Sequence, residues 1–123
     1  MATRGTDGRP GRAPEDALPL TPALFHVLLA LSDGEKHGYA ILKEIEHRTE
    51  GRVQLSTGTL YGIVKRLLAD GLIRESALGS TQRRRAYKLT AFGRRVALAE
   101  AERLRDLVLT AQMKKLLTVP AGG

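Results

Sequence analysis

The stretch STGTLYGIVKRLLADGLIRE, residues 56–75, decides how the rest of the chain is read. Leu60, Ile63, Val64, Leu67 and Leu68 recur at spacings of three and four, which predicts a helix with one buried face. Ser56 stands where an N-cap belongs, and Gly71 stands where a helix stops. The opposite face carries Thr57, Thr59, Tyr61, Lys65 and Arg66, and no acid occurs between Gly51 and Asp70. A surface helix usually mixes charges of both signs. This one offers hydroxyls, a phenol and two cations.

Working upstream, residues 1–18 are rich in Gly, Pro, Arg and Asp, offer little to bury, and read as a disordered arm. Thr21 is an N-cap candidate with Pro22 at the first helical position, where its missing N–H costs nothing. The following ALFHVLLALS is apolar nearly all round, which predicts a central helix. DGEKHG breaks it. YAILKEIEHRTE, residues 39–50, predicts a second helix with Tyr39, Ile41, Leu42 and Ile45 on its apolar stripe, ended by Gly51. Downstream, LIRESAL (72–78) and RRRAYKL (83–89) read as strands joined by the turn GSTQ, a β-hairpin. Thr90 caps a last helix expected from Ala91 to Leu117, with Phe92, Val96, Ala99, Leu104, Leu107, Val108, Ala111 and Leu116 on a broad apolar stripe. Residues 118–123 read as a disordered tail. Three helices followed by a hairpin give a mainly α fold with a small β-hairpin. The expected architecture is a winged helix-turn-helix over residues 19–90 and a long C-terminal dimerisation helix over 91–117.

Bulk properties narrow the function. A chain of 123 residues suits one domain with a modest core. Cysteine is absent, which removes disulfides, thiol chemistry and Cys-based zinc sites and fits a reducing cytoplasm. No apolar run approaches the roughly 20 residues that span a bilayer, so no membrane role is expected. His26, His37 and His47 are scattered without ligand spacing, so no metal and no cofactor are expected. No nucleophile–base arrangement or phosphate-cradling Gly loop is recognisable, and no catalytic residue is assigned.

Charge is the stronger signal. The net charge is +7, yet residues 52–95 alone carry ten cations against Asp70 and Glu75. Positive charge concentrated in one folded unit points to a polyanion. In a helix-turn-helix protein the first residues of the motif's second helix enter the major groove, where small hydroxyls reach phosphates and base edges. Ser56, Thr57, Thr59, Lys65 and Arg66 are therefore the expected DNA contacts of this helix, while Tyr61, beside Leu60 at the edge of the buried stripe, reads equally as a core aromatic or as a DNA contact. Arg83, Arg84, Arg85 and Lys88 are the expected contacts of the hairpin. Consecutive strand residues alternate in direction, so at most two of the three arginines face DNA together.

At this point HGYAILKEIE, STGTLYGIVKRLLADGLI and RRRAYKLTAFG together resemble the PadR family of bacterial transcriptional regulators, in its short form with one C-terminal helix. The resemblance covers residues 20 to about 117, with GTLY, RLL–x–x–GLI and R–x–Y–x–LT–x–x–G in the family's order and spacing. One departure is Gly62, where many members carry Pro. The resemblance implies a homodimer that binds an inverted repeat near a promoter as a repressor and leaves it when a small-molecule effector binds. The stripe of the last helix is too long for so small a head to cover. Val96, Leu104, Leu107, Val108 and Ala111 are the expected dimer interface, with Leu24, Phe25 and Leu28 of the first helix as its second surface. The rival reading is a basic RNA-binding or nucleoid-associated winged helix with no specific operator.

Overall fold

The computed structural model describes residues 13–76 and 85–118. A 3-10 turn at Pro14–Ala17 leads into α1 (Pro22–Leu31). A two-residue strand, β1 (Lys36–His37), runs directly into α2 (Gly38–Arg48), and α3 follows at Thr57–Ala69. Strands β2 (Ile73–Ser76) and β3 (Ala86–Leu89) precede α4 (Ala91–Met113). The sheet has three antiparallel strands in the order β1-β3-β2, with Ile73 opposite Leu89, Arg74 opposite Lys88 and His37 opposite Ala86. This is a winged helix extended by a long C-terminal helix.

Local chemistry fixes the starts of α1, α3 and α4. Thr21, Ser56 and Thr90 each sit in extended backbone, and their hydroxyls accept from Leu24 N (3.2 Å), Thr59 N (3.0 Å) and Gly93 N (2.8 Å). Each satisfies one orphan N–H of a first turn. The buried faces then converge on one cluster that includes Val27, Leu28, Leu31, Ile41, Ile45, Leu60, Val64, Leu67, Ile73, Tyr87 and Val96.

The junction between α3, the sheet and α4 is closely packed. Thr90 Oγ1 donates to the Gly71 carbonyl at 2.7 Å, and Thr90 N donates to the Leu72 carbonyl at 3.1 Å. A methyl group on Gly93 would collide with the Leu72 carbonyl oxygen. The first turn of α4 therefore rests on the chain leaving α3, and the direction of α4 is tied to that of α3.

Several expectations need correction. The arm expected to be disordered through residue 18 instead forms a turn at Pro14–Ala17, and Ala17 and Leu18 pack against the core. Residues 1–12 and 119–123 lie outside the described residues. α2 ends at Arg48, because Glu50 and Gly51 have positive φ (53° and 80°). Tyr39, on the apolar stripe by its spacing, is 70 % exposed, with Lys43 Nζ 5.6 Å from its ring centre. Of the strand expected over 83–89, Arg85 lies outside β3, which begins at Ala86, and residues 83 and 84 lie outside the described residues; α4 stops at Met113 rather than Leu117, with Lys115 at φ 66°. β1 has no counterpart among the expected elements, because two residues are too few to show a period.

Candidate nucleic-acid interface and the free helix face

α3 presents Thr57, Gly58, Thr59, Tyr61, Gly62, Lys65 and Arg66 to solvent, while Leu60, Val64 and Leu67 are buried beneath. Its twelve-residue stretch from Thr57 to Leu68 contains no carboxylate. Backbone N–H groups at its first turn add partial positive charge. The face as a whole suits an anionic partner that accepts hydrogen bonds.

The candidate contacts are not equivalent. The Ser56 hydroxyl accepts from Thr59 N and donates to Thr59 Oγ1 at 3.0 Å. Ser56 thus caps the helix and orients Thr59, whose own hydroxyl proton remains to be given outward. Tyr61 is 41 % exposed, yet its phenol lies across the start of α2: a Cβ on Gly38 would come within 2.5 Å of the Tyr61 hydroxyl oxygen. Tyr61 also sits close enough to the buried Tyr87 to help raise the Tyr87 pKa, after the larger effect of burial. The phenol therefore joins α3, α2 and the sheet while keeping one edge in solvent. Lys65 is exposed, and Arg66 lies 3.7 Å from Asp70 across one helical turn with two-thirds of its side chain in water.

In the wing, Arg83 and Arg84 fall outside the described residues. Arg85 is held by Glu75 at 3.2 Å across the hairpin, so its charge is partly spent inside the protomer. Lys88 stands directly opposite Arg74. Like charges in register on neighbouring strands repel, and a phosphate nearby would relieve that repulsion. Sequence reasoning does not single out Arg74; only the register of the sheet reveals it.

The dimer candidates divide. Leu28 and Val96 are fully buried in the protomer's own core, so they cannot also face a partner, and the expectation that they do is corrected. Leu24 and Phe25 are partly buried against that core. Leu104, Leu107 and Val108 are exposed, and Ala111 is half-buried. Leu98, Leu109 and Met113 add exposed apolar surface away from that stripe. Between α1 and α4 lies a groove of about 410 Å³ lined by Leu20, Pro22, Phe25, His26, Glu100, Arg103 and Leu104. At its floor, buried Glu100 accepts two 2.8 Å bonds from the Arg103 guanidinium. These bonds hold the Glu100 carboxyl below its ordinary pKa, helped by a backbone bond from Leu20. Burial, followed by the charge of Arg48, lowers the His26 pKa at the groove's rim. Nothing in the sequence pattern announces Glu100, an acid at a core position.

Comparison with known proteins bears on this geometry. The family model of the transcriptional regulator PadR-like family matches residues 27–99. The chain belongs to that family. The match runs from α1 through the capped start and first turns of α4, so it includes α3 and the wing. Its members are transcriptional regulators, not enzymes. The chain is 32 % identical to the transcriptional regulator Rv3488 of Mycobacterium tuberculosis over 84 residues, covering 68 % of this chain and 76 % of that one. It is 42 % identical over 81 residues to an uncharacterised 37.1 kDa protein of transposon TN4556 from Streptomyces fradiae, where the match covers 66 % of this chain but only 22 % of that protein. Among solved structures, a transcriptional regulator from Clostridium thermocellum superposes with TM-score 0.63 at 23 % identity, over 80 % of this chain and all of that one. Bordetella bronchiseptica BpsR, described by regulation of its DNA binding by 6-hydroxynicotinic acid, superposes with TM-score 0.60 at 24 % identity over 77 % of this chain and 62 % of that one. At these identities the two structures speak for the fold. No helix among the described residues is long and apolar enough to cross a membrane.

Proposed function

We propose that this chain is a homodimeric, sequence-specific repressor that binds an inverted-repeat operator in duplex DNA. The observation that carries the reading is the acid-free outer face of α3, with its outward Thr59 hydroxyl, Lys65 and Arg66, in a chain of a regulator family. Thr57 and Thr59 address the groove, and the exposed edge of Tyr61 addresses a phosphate through its hydroxyl. Lys65, Arg66, Lys88 and the wing arginines address phosphates, and Ser56 serves as the cap that positions them. Exposed Leu104, Leu107 and Val108, together with Ala111, Leu24 and Phe25, form the seam between two copies. Burial of a few such side chains supplies several kcal/mol at about 25 cal/mol per Å² before the cost of association is subtracted.

The groove between α1 and α4 is the proposed seat of a small-molecule effector. It pairs an apolar wall with the Arg103 guanidinium, and the regulation of BpsR by an aromatic acid supports a ligand of that general kind. A ligand there acts only to the extent that it prefers one spacing of the two recognition helices. The cytoplasm is the proposed compartment, since that is where an operator is met.

A footprint on the DNA upstream of the chain's own gene tests the reading. Two protected half-sites about one helical turn apart are expected, with affinity falling steeply as salt rises. Uniform coating with no half-sites removes it in favour of a non-specific basic protein, and a flat salt response removes DNA binding by this positive surface altogether.

A further inference from the structure

The glycines among the described residues divide into those the protomer requires and those it does not. Gly34, Gly51 and Gly71 hold positive φ values of 144°, 80° and 76°. Gly38 and Gly93 sit where a Cβ would strike Tyr61 or the Leu72 backbone. Each of these five is explained inside the chain. Gly58 and Gly62 are not. Both lie within α3 in ordinary helical backbone, and a Cβ built on either meets nothing within 4 Å. A glycine inside a helix is less favourable than alanine, so the folded protomer bears a cost at Gly62 with no internal return.

Their placement shows where the return lies. The two are four residues apart and share one face of the helix. Buried Leu60 and Val64 point the other way, so this face is the outermost line of α3, continued by exposed Ala69. Tyr61 flanks it on one side, Thr59 and Arg66 on the other, and Lys65, seven residues after Gly58, bounds it one turn further along. Side chains that can donate to DNA thus border a strip of bare backbone. A helix with side chains along its crest stands off from a groove by their length. A helix bare along its crest settles deeper, and its flanking side chains then reach both walls.

We infer that Gly58 and Gly62 set the docking depth of α3. They let its backbone approach the floor of the major groove at a distance that any side chain would prevent, so that Thr59, Tyr61, Lys65 and Arg66 make contact from the sides. This rests on the DNA-binding reading above and adds to it the requirement for empty space at two positions. It predicts an opposition between stability and binding. Gly62→Ala and Gly58→Ala remove a glycine from a solvent-exposed helix, so each melts at the same or a higher temperature, Gly62→Ala by roughly 2–6 °C. The same variants bind less tightly.

The experiment takes duplexes selected from a random library by the wild-type protein, plus an unrelated duplex. It measures affinity and thermal unfolding for wild type, Gly58→Ala, Gly62→Ala and Gly62→Leu. Expected are a loss on the order of tenfold for the selected duplex in Gly62→Ala, a larger loss in Gly62→Leu, and an unchanged salt slope, since no charge is altered. Affinity for the unrelated duplex, held through phosphates, falls less. Wild-type affinity in more stable alanine variants overturns the inference and leaves the DNA-binding reading intact. A lowered melting temperature also overturns it, because the fold would then need the glycines. Failure of the wild-type protein to select any duplex removes the underlying reading instead, a distinguishable result.

Discussion

Among the described residues, two exposed surfaces lack a partner within the protomer, and they differ in kind. The outer face of α3 is small, polar and free of acids. The second half of α4 is a ladder of Leu104, Leu107 and Val108 in water. The first surface loses nothing by remaining wet, so it can wait for an occasional ligand. The second carries a standing hydrophobic cost, which favours a permanent partner. The proposed function uses this difference as a division of labour, with assembly assigned to α4 and reversible recognition to α3. The Thr90–Leu72 junction couples the two, because α4 starts on the segment that leaves α3.

The largest expected effect comes from breaking the permanent surface. Leu107 is 55 % exposed in the protomer, so Leu107→Glu should leave the fold intact while placing a charge in the seam. Light scattering should report a monomer. Affinity for an operator of two half-sites should fall by on the order of 10²-fold or more as bivalence disappears. A variant that remains a dimer would show that the second half of α4 is not the seam.

Next in size is the reversible surface. Replacing Arg83, Arg84 and Arg85 together by Ala should weaken binding to selected and unrelated duplexes alike, by on the order of tenfold. The salt slope should drop by about one for each phosphate that is no longer neutralised. Arg85 should contribute least of the three, because Glu75 already holds it. An unchanged slope would remove the wing from the interface.

A smaller effect tests the boundary between the covered and uncovered halves of α4. Glu100→Gln removes the carboxylate that accepts from Arg103 at the groove floor. The expected loss is about 1–3 kcal/mol of stability, read from denaturant unfolding. The folded carboxyl titrates below its ordinary value of 4.5, so its contribution is complete above that pH and disappears as the pH falls through the lowered folded value. The difference between wild type and Glu100→Gln should therefore shrink in acid. A difference that persists unchanged in acid would mean that the charge is not what the pair contributes.

How much of this is legible in the sequence depends on whether the signal is local. The caps at Thr21, Ser56 and Thr90 can be read because capping needs only a hydroxyl and the next three residues. The buried face of α3 is legible because one side is apolar and the other is not. Leu28 and Val96 mislead for a tertiary reason. α1 is apolar all round, so periodicity cannot say which side meets a partner. In α4, Val96 and Leu104 lie on one stripe that changes from core to surface where the head ends. Tyr39 misleads because an aromatic ring at helical spacing looks apolar until its cation neighbour is seen. Glu100 is invisible because nothing local says that its side of α4 is covered: Arg103 is only three residues away, but the burial of Glu100 and its backbone bond from Leu20 depend on where the chain before α1 lies. The meaning of Gly58 and Gly62 is hidden too, since only the empty space around them separates them from Gly38 and Gly93.

The smallest effects separate reading from support within α3. Thr59→Ala keeps the capping bond from its own N–H to Ser56 and removes the outward hydroxyl together with the bond that this hydroxyl accepts from Ser56 Oγ. Its stability should change by no more than about 0.5 kcal/mol, while affinity falls several-fold for the selected duplex and not for an unrelated one. Tyr61→Phe keeps the ring over Gly38 and removes the oxygen that lies against it. If that oxygen serves DNA through phosphate, affinity falls for both duplexes with little change in melting temperature. If it serves the contact between α3, α2 and Tyr87, the melting temperature falls by several degrees and affinity follows only through the loss of folded protein. The partial exposure of Tyr61 and the free line of approach along α3 favour the first outcome. Thermal unfolding and a mobility-shift titration on the same preparation decide between them, because only a stable, weakly binding Tyr61→Phe places the phenol on the recognition surface.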